Sequence, residues 1–321
     1  GHALSTFSSR EDAQQPRHDV RNASTIPPQP ETALNAAARG TRVPPGPWCN
    51  DGMATSTPTA SPRTAPTRSD RTRQVAVTLA EIFCVIGTLV GVGVIGTRVE
   101  ESSGGALAAD ATLIAPAGPA FSIWTPIYLG LAAYTVWQWL PDQATDRRHR
   151  AIGWLAAASM LLNALWLLVT QQGWIWVSVL VMAGLVVTLG LLVARLQANP
   201  SYGHAESVIV DGTFGLYLGW VAVAACANVT AAFVASGVDP GGLVAEVLAA
   251  AVLAVAALVA VILARRLGGR WAVAAAIVWG LGWIAVGRLT DEPRSALVAV
   301  AAIAAAAVTV AATARQLTTA A

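Results

Sequence analysis

The sequence predicts an all-α fold, a polytopic transmembrane helical bundle of about eight helices. Three observations carry that prediction. Of the 321 residues, 55% are hydrophobic and only 12% charged, with a mean hydropathy of +0.56. Soluble domains carry about 25% charged residues, which cover their surface. The apolar residues are gathered into eight blocks: 75–97, 118–140, 151–171, 174–196, 211–235, 243–264, 269–287 and 295–314. Each is near the ~20 residues that cross a bilayer core as a helix. The loops between the blocks alternate in arginine content, as expected of a chain that crosses repeatedly.

Residues 1–73 are of another kind. They are rich in Pro, Ser, Thr, Ala and Arg and show no hydrophobic periodicity, which predicts a disordered tail. The tail lacks the 7–15-residue apolar core of a signal peptide. Met53 is the first methionine, so we read it as the start and residues 1–52 as an upstream extension. Residues 74–236 then make a five-helix bundle, and 237–321 add three further transmembrane helices. The first block carries Glu81, placed about a turn and a half inside the cytoplasmic end, and the GxxxG motif Gly87–Gly91, which permits close helix approach or pairing with a second copy. Asp211 stands at the cytoplasmic start of the fifth block and Glu246 near the outer end of the sixth. Carboxylates in a membrane usually mark function, so Glu81 and Asp211 are candidates for a proton or cation relay. The sixth and eighth blocks are nearly pure Ala, Val and Leu and read as lipid-facing or packing helices.

Loop charges fix the orientation. Arg63, Arg68, Arg71 and Arg73 precede the first block, and Arg147, Arg148 and Arg150 lie in the second loop. Arg195 ends the fourth block, and Arg265, Arg266 and Arg270 lie in the sixth loop. These loops and both termini are predicted cytoplasmic in a multi-pass protein of the cell membrane. The first loop holds one arginine against three acids; the seventh, with Arg288 and Arg294, fits least well.

Three helices carry polar and aromatic stripes. Positions three or four apart share a helix face, which groups Trp124, Tyr128, Leu131, Thr135 and Gln138 on the second helix. Ser159, Asn163, Trp166 and Thr170 group on the third, and Thr213, Tyr217, Trp220, Ala224 and Asn228 on the fifth. At ~1.5 Å per residue, Trp124, Asn163, Trp166 and Asn228 all fall roughly 8–12 Å below the outer helix ends. Indoles at one level supply stacking area and amides fix orientation, the chemistry of a pocket for a flat, mostly apolar ligand. The candidate ligand-binding residues are Trp124, Tyr128, Asn163, Trp166, Tyr217, Trp220 and Asn228. Taken singly, each amide also serves as interhelical glue, worth ~0.6–2 kcal/mol. Trp154, Trp174, Trp176 and Trp271, near helix ends, read as interfacial belt residues, and Trp279 and Trp283 as lining or packing. No catalytic constellation or metal-ligand cluster is visible, and the cysteines Cys49, Cys84 and Cys226 form no CxxC. The implied partners are the lipid bilayer, a small hydrophobic ligand and, through GxxxG, a second copy; nucleic acid is not among them.

PAGPAFSIWTPIYLGL, LLNALWLL and YLGWVAVAACANV resemble the TspO/MBR family of tryptophan-rich sensory and translocator proteins over roughly residues 75–235. Pro119 and Trp124, Asn163 and Trp166, and Trp220 and Asn228 match its patterns on the second, third and fifth helices. The fuller Trp-and-double-Pro loop motif before the second helix is missing; Pro116 and Pro119 remain. The resemblance implies five helices, a pocket closed by the first loop, and affinity for porphyrins and, in some members, sterol-like ligands. Trp124 and Trp220 would be the stacking indoles, with porphyrin photochemistry there as an enzymatic reading. The expected function is therefore a membrane sensor or regulator binding a tetrapyrrole, with no cofactor required. A small-molecule transporter is the alternative, favouring two related halves and coupling carboxylates near mid-membrane.

Overall fold

The computed structural model describes residues 65–320, which form eight helices and no strand. They are α1 (Arg68–Gly91), α2 (Trp124–Trp137), α3 (Arg147–Gln171), α4 (Ile175–Ala198), α5 (His204–Ala235), α6 (Gly242–Arg266), α7 (Trp271–Thr290) and α8 (Ala296–Ala320). Seven are long and apolar enough to cross a membrane. The exception is α2, with 14 residues, which follows a 3₁₀ segment, Gly118–Ile123. Two prolines shape this entry. Pro119 sits at the start of the 3₁₀ segment and Pro126 in the first turn of α2, where the missing N–H has no intrahelical partner to lose. At ~2.0 and ~1.5 Å per residue, the two pieces together reach roughly 33 Å, about the thickness of a hydrocarbon core.

The helices run beyond the apolar blocks because side-chain caps, not hydropathy, set their ends. Thr67 Oγ1 accepts from the Asp70 N–H at 3.2 Å, and the Asp70 carboxylate accepts from the Thr67 N–H at 3.0 Å, a capping box. Arg68–Arg73, read from composition as the end of the tail, are therefore helical. Residues 1–64, with Met53, lie outside the described residues. The Asp146 carboxylate accepts from the N–H groups of Arg148 and His149 and starts α3 at Arg147. His149, expected in a loop, is buried in that first turn. α5 reaches back to His204 through a π-helical segment, Ser207–Gly212.

Helix contacts trace two rings. α1 packs on α3, α3 on α4 and α4 on α5, and α2 joins α5 to α1. Beyond them α7 packs along α5, α8 along α7 and α6 along α8, with light contact from α6 back to α5. α5 is the wall common to both rings. The three stripes point inward: Leu131, Thr135, Gln138, Ser159, Asn163, Trp166, Thr170, Thr213, Tyr217, Trp220 and Asn228 are all buried. Trp139, Trp154, Trp174, Trp176 and Trp271 are exposed, as belt residues should be.

Two GxxxG motifs lie at close helix contacts. A Cβ on Gly87 would lie 2.9 Å from Ala164 Cβ, and one on Gly91 would lie 2.6 Å from Leu167 Cδ2. The motif of α1 is thus filled by α3 of the same chain and is not free to pair with a second copy. Gly215 and Gly219 of α5 likewise face Ala272, Val273 and Ala276 of α7. Gly219→Leu drives a side chain into the Val273 carbonyl and should lower stability by ~1–3 kcal/mol or more. Gly282→Ala, in open space, should be near neutral; thermal unfolding of the purified protein compares the two.

Candidate functional site

A small cavity of about 60 Å³ lies beneath the first loop. Phe121, Trp166, Trp220 and Asn228 wall it, and loop residues such as Leu107 and Pro116 roof it. The walls come from the 3₁₀ segment, α3 and α5, with no residue of the second-helix stripe among them. The volume is far below the ~300–1,000 Å³ of pockets that hold drug-sized ligands. A flat tetrapyrrole enters only if the loop lifts.

The seven candidate residues divide into two groups. Trp166, Trp220 and Asn228 line the cavity. Trp124, Tyr128, Tyr217 and Asn163 do not; they pack beside it. Trp124 stacks on Tyr128 with centroids 5.1 Å apart, and meets Tyr217 at 5.9 Å and Trp220 at 6.2 Å edge-on. Asn163 Nδ2 donates to Tyr128 Oη at 3.1 Å and also reaches Cys84 Sγ. Tyr217 Oη donates to the Ser159 carbonyl at 3.1 Å. Asn228 and Ser178 bond each other at 3.0 and 3.3 Å. Both amides are therefore engaged between helices. The indole N–H groups of Trp166 and Trp220 are buried without a hydrogen-bond acceptor among the described residues, although buried tryptophans usually find one. Phe121 and the loop residues escaped the sequence reading because neither follows a helical period.

The roof is anchored by α7. Arg288 is 1% exposed, and its guanidinium donates to the carbonyls of Ala109, Thr112 and Pro293. Trp279 Nε1 donates to the Ala120 carbonyl at 2.8 Å, and the Ala117 N–H donates to the Trp283 carbonyl at 3.3 Å. Sequence reading put Arg288 in the seventh loop, where its charge fitted the orientation rule poorly. Its guanidinium instead donates hydrogen bonds to loop carbonyls inside the protein. Trp279 likewise fastens the 3₁₀ segment.

The arginine-rich end holds an ionic cluster. Arg148 lies 3.0 Å from Glu206 and 2.6 Å from Asp211, and Arg270 also pairs with Asp211. Asp70 pairs with Arg73 and Arg150. Asp211 is thereby tied into a structural network. Asp146, His149 and Glu206 bring ligand atoms within 4.8 Å of one another, a metal-capable set formed across the fold that linear spacing does not reveal. The Arg148 guanidinium already occupies Glu206 Oε1 and opposes a cation there.

Glu81 differs. Counted from Arg68, it lies roughly 20 Å along α1, and the polar turns Arg68–Gln74 come before the apolar part of the helix, so it stays about a turn and a half inside the apolar block. Both carboxylate oxygens are buried without a hydrogen-bond partner among the described residues. It sits one turn from Cys84 on the same face.

Arg288→Gln should release the roof. Three carbonyls would lose a charged donor, a change worth about 2–3 kcal/mol. Thermal unfolding should shift down, and limited proteolysis should cut residues 106–117 faster than in the unaltered protein.

No curated protein and no solved structure matches the chain. A family model described as TSPO-like protein matches residues 76–315, from α1 into α8. The match covers the five-helix ring with its aromatic stripes and also the three helices beyond it, among them α7, which anchors the roof. On that match, which takes in well over half of the sequence, the chain belongs to the family of TSPO-like proteins.

Proposed function

We propose that this multi-pass membrane protein is a sensor or regulator. It binds a flat hydrophobic ligand beneath the first loop, and tetrapyrroles are the first to test. The observation that carries this reading is the pair of buried, unpartnered indole N–H groups on Trp166 and Trp220, both residues of the cavity wall. They suit a planar ligand with acceptor groups. The stacked Trp124 and Tyr128 brace Trp220 from behind. We read the site as a binding site rather than a catalytic one. Porphyrin should quench the tryptophan fluorescence of the purified protein. Trp220→Leu and Trp166→Leu should each weaken binding by ~1–2 kcal/mol, about five- to thirtyfold. Trp124→Leu acts through Trp220 and should cost less; exposed Trp271→Leu should cost nothing. Equal affinity in all variants would reduce the stripe to packing.

A transporter is the second reading, favoured by one observation: Glu81, a buried carboxylate in the apolar part of α1 with no hydrogen-bond partner among the described residues. Such a group suits coupling to a proton or cation. Counterflow in proteoliposomes separates the readings, since Glu81→Gln abolishes coupled transport and leaves porphyrin quenching intact.

The loop charges support cytoplasmic termini. Exposed cysteines introduced at Glu101 and Asp239, with native Cys49, Cys84 and Cys226 replaced, should label from outside, and one at Arg147 only after permeabilisation. The reverse pattern would invert the orientation.

A further inference from the structure

A second cavity, of about 670 Å³, lies at the end of the bundle opposite the arginine-rich loops. It opens between α5 and α6, where those helices touch only lightly. Its walls are mainly apolar, with Phe233 and Val234 from α5 and Ala245, Ala249 and Val252 from α6. Loop residues 111–113 form the third wall, so Thr112 separates this cavity from the one beneath the first loop. The volume falls in the range of sites that bury a drug-sized ligand.

The charged lining residues are Asp239, Glu246 and Arg294. Arg294 pairs with Glu292 at 3.6 Å and also donates to the Thr290 carbonyl. Asp239 accepts from the Gly241 N–H at 3.2 Å. Among the described residues Glu246 has no ion-pair or hydrogen-bond partner, and it is half-buried. The lining thus holds two carboxylates against one arginine, and that arginine is directed toward Glu292 and the Thr290 carbonyl, leaving Glu246 as the carboxylate without a counter-charge. A carboxylate at the edge of an apolar chamber selects a ligand with an apolar body and one positive charge, because partial desolvation strengthens that pairing.

We propose that this cavity binds lipophilic amines, with Glu246 as the counter-charge to the ammonium group. An aminophospholipid is the less suitable occupant, since its phosphate would face both carboxylates. The site is distinct from the proposed tetrapyrrole site and does not depend on it.

The test uses the full chain in neutral maltoside detergent, with dansylcadaverine and its neutral N-acetyl analogue as fluorescent probes. The free amine should bind about tenfold tighter than the analogue, a ratio worth ~1.4 kcal/mol. Glu246→Gln should reduce that preference below about threefold and leave the analogue's affinity unchanged, since only the charge contact is removed. Ala245→Phe should weaken both probes by filling the chamber, and Trp220→Leu should weaken neither. Thermal unfolding of each variant confirms that the bundle persists. Equal binding of the two probes, or a preference that survives Glu246→Gln, overturns the proposal. So does loss of probe binding in Trp220→Leu, or its displacement by phosphatidylethanolamine.

Discussion

The rest of the molecule depends on how closely α5 approaches α7. Gly215 and Gly219 remove side chains where the two backbones meet, and the contact this permits joins the five-helix ring to the three helices beyond. In a bilayer, helices gain little from hiding apolar surface, because lipid is as apolar as leucine. Packing of small residues and satisfaction of polar groups must hold them together. The two glycine motifs supply the packing, and the amide, hydroxyl and guanidinium contacts supply the rest.

From that junction follows the state of the cavity. α7 carries Arg288, Trp279 and Trp283, and each grips the first loop or the segment after it. α7 therefore holds the roof over Trp166 and Trp220, and it is part of the site's architecture even though it contributes none of its walls. The family match across residues 76–315 agrees with a unit made of all eight helices.

Much of this was legible in the sequence. Eight apolar blocks became eight helices, and the three stripes turned inward, because hydropathy and period-3.6 spacing register burial directly. The helix ends were harder to place: Thr67 and Asp146 begin helices in polar sequence that hydropathy assigns to loops. Of the seven candidate site residues, Trp166, Trp220 and Asn228 line the cavity and the other four pack beside it, a division that sequence does not make. Trp220 reaches the cavity while Trp124, on a neighbouring helix, stacks on Tyr128 instead. Rotamers and helix rotation decide such differences, and neither leaves a periodic trace. Arg288 was misplaced for a related reason: charge counting treats every arginine near a helix end as a loop charge, whereas this one serves first-loop carbonyls at Ala109 and Thr112, 179 and 176 residues away in the sequence.

The π-helical segment Ser207–Gly212 has a consequence for the start of α5. A π turn is an α turn with one residue inserted, and each residue advances a helix by ~100°. The inserted residue sets the rotational phase of Glu206 separately from that of Tyr217 and Trp220. Both Glu206 and Asp211 can then reach Arg148 while the aromatic face keeps its aim at α2. The two ends of one helix thus answer to different neighbours, and a change of length at that turn would re-aim the acidic end alone.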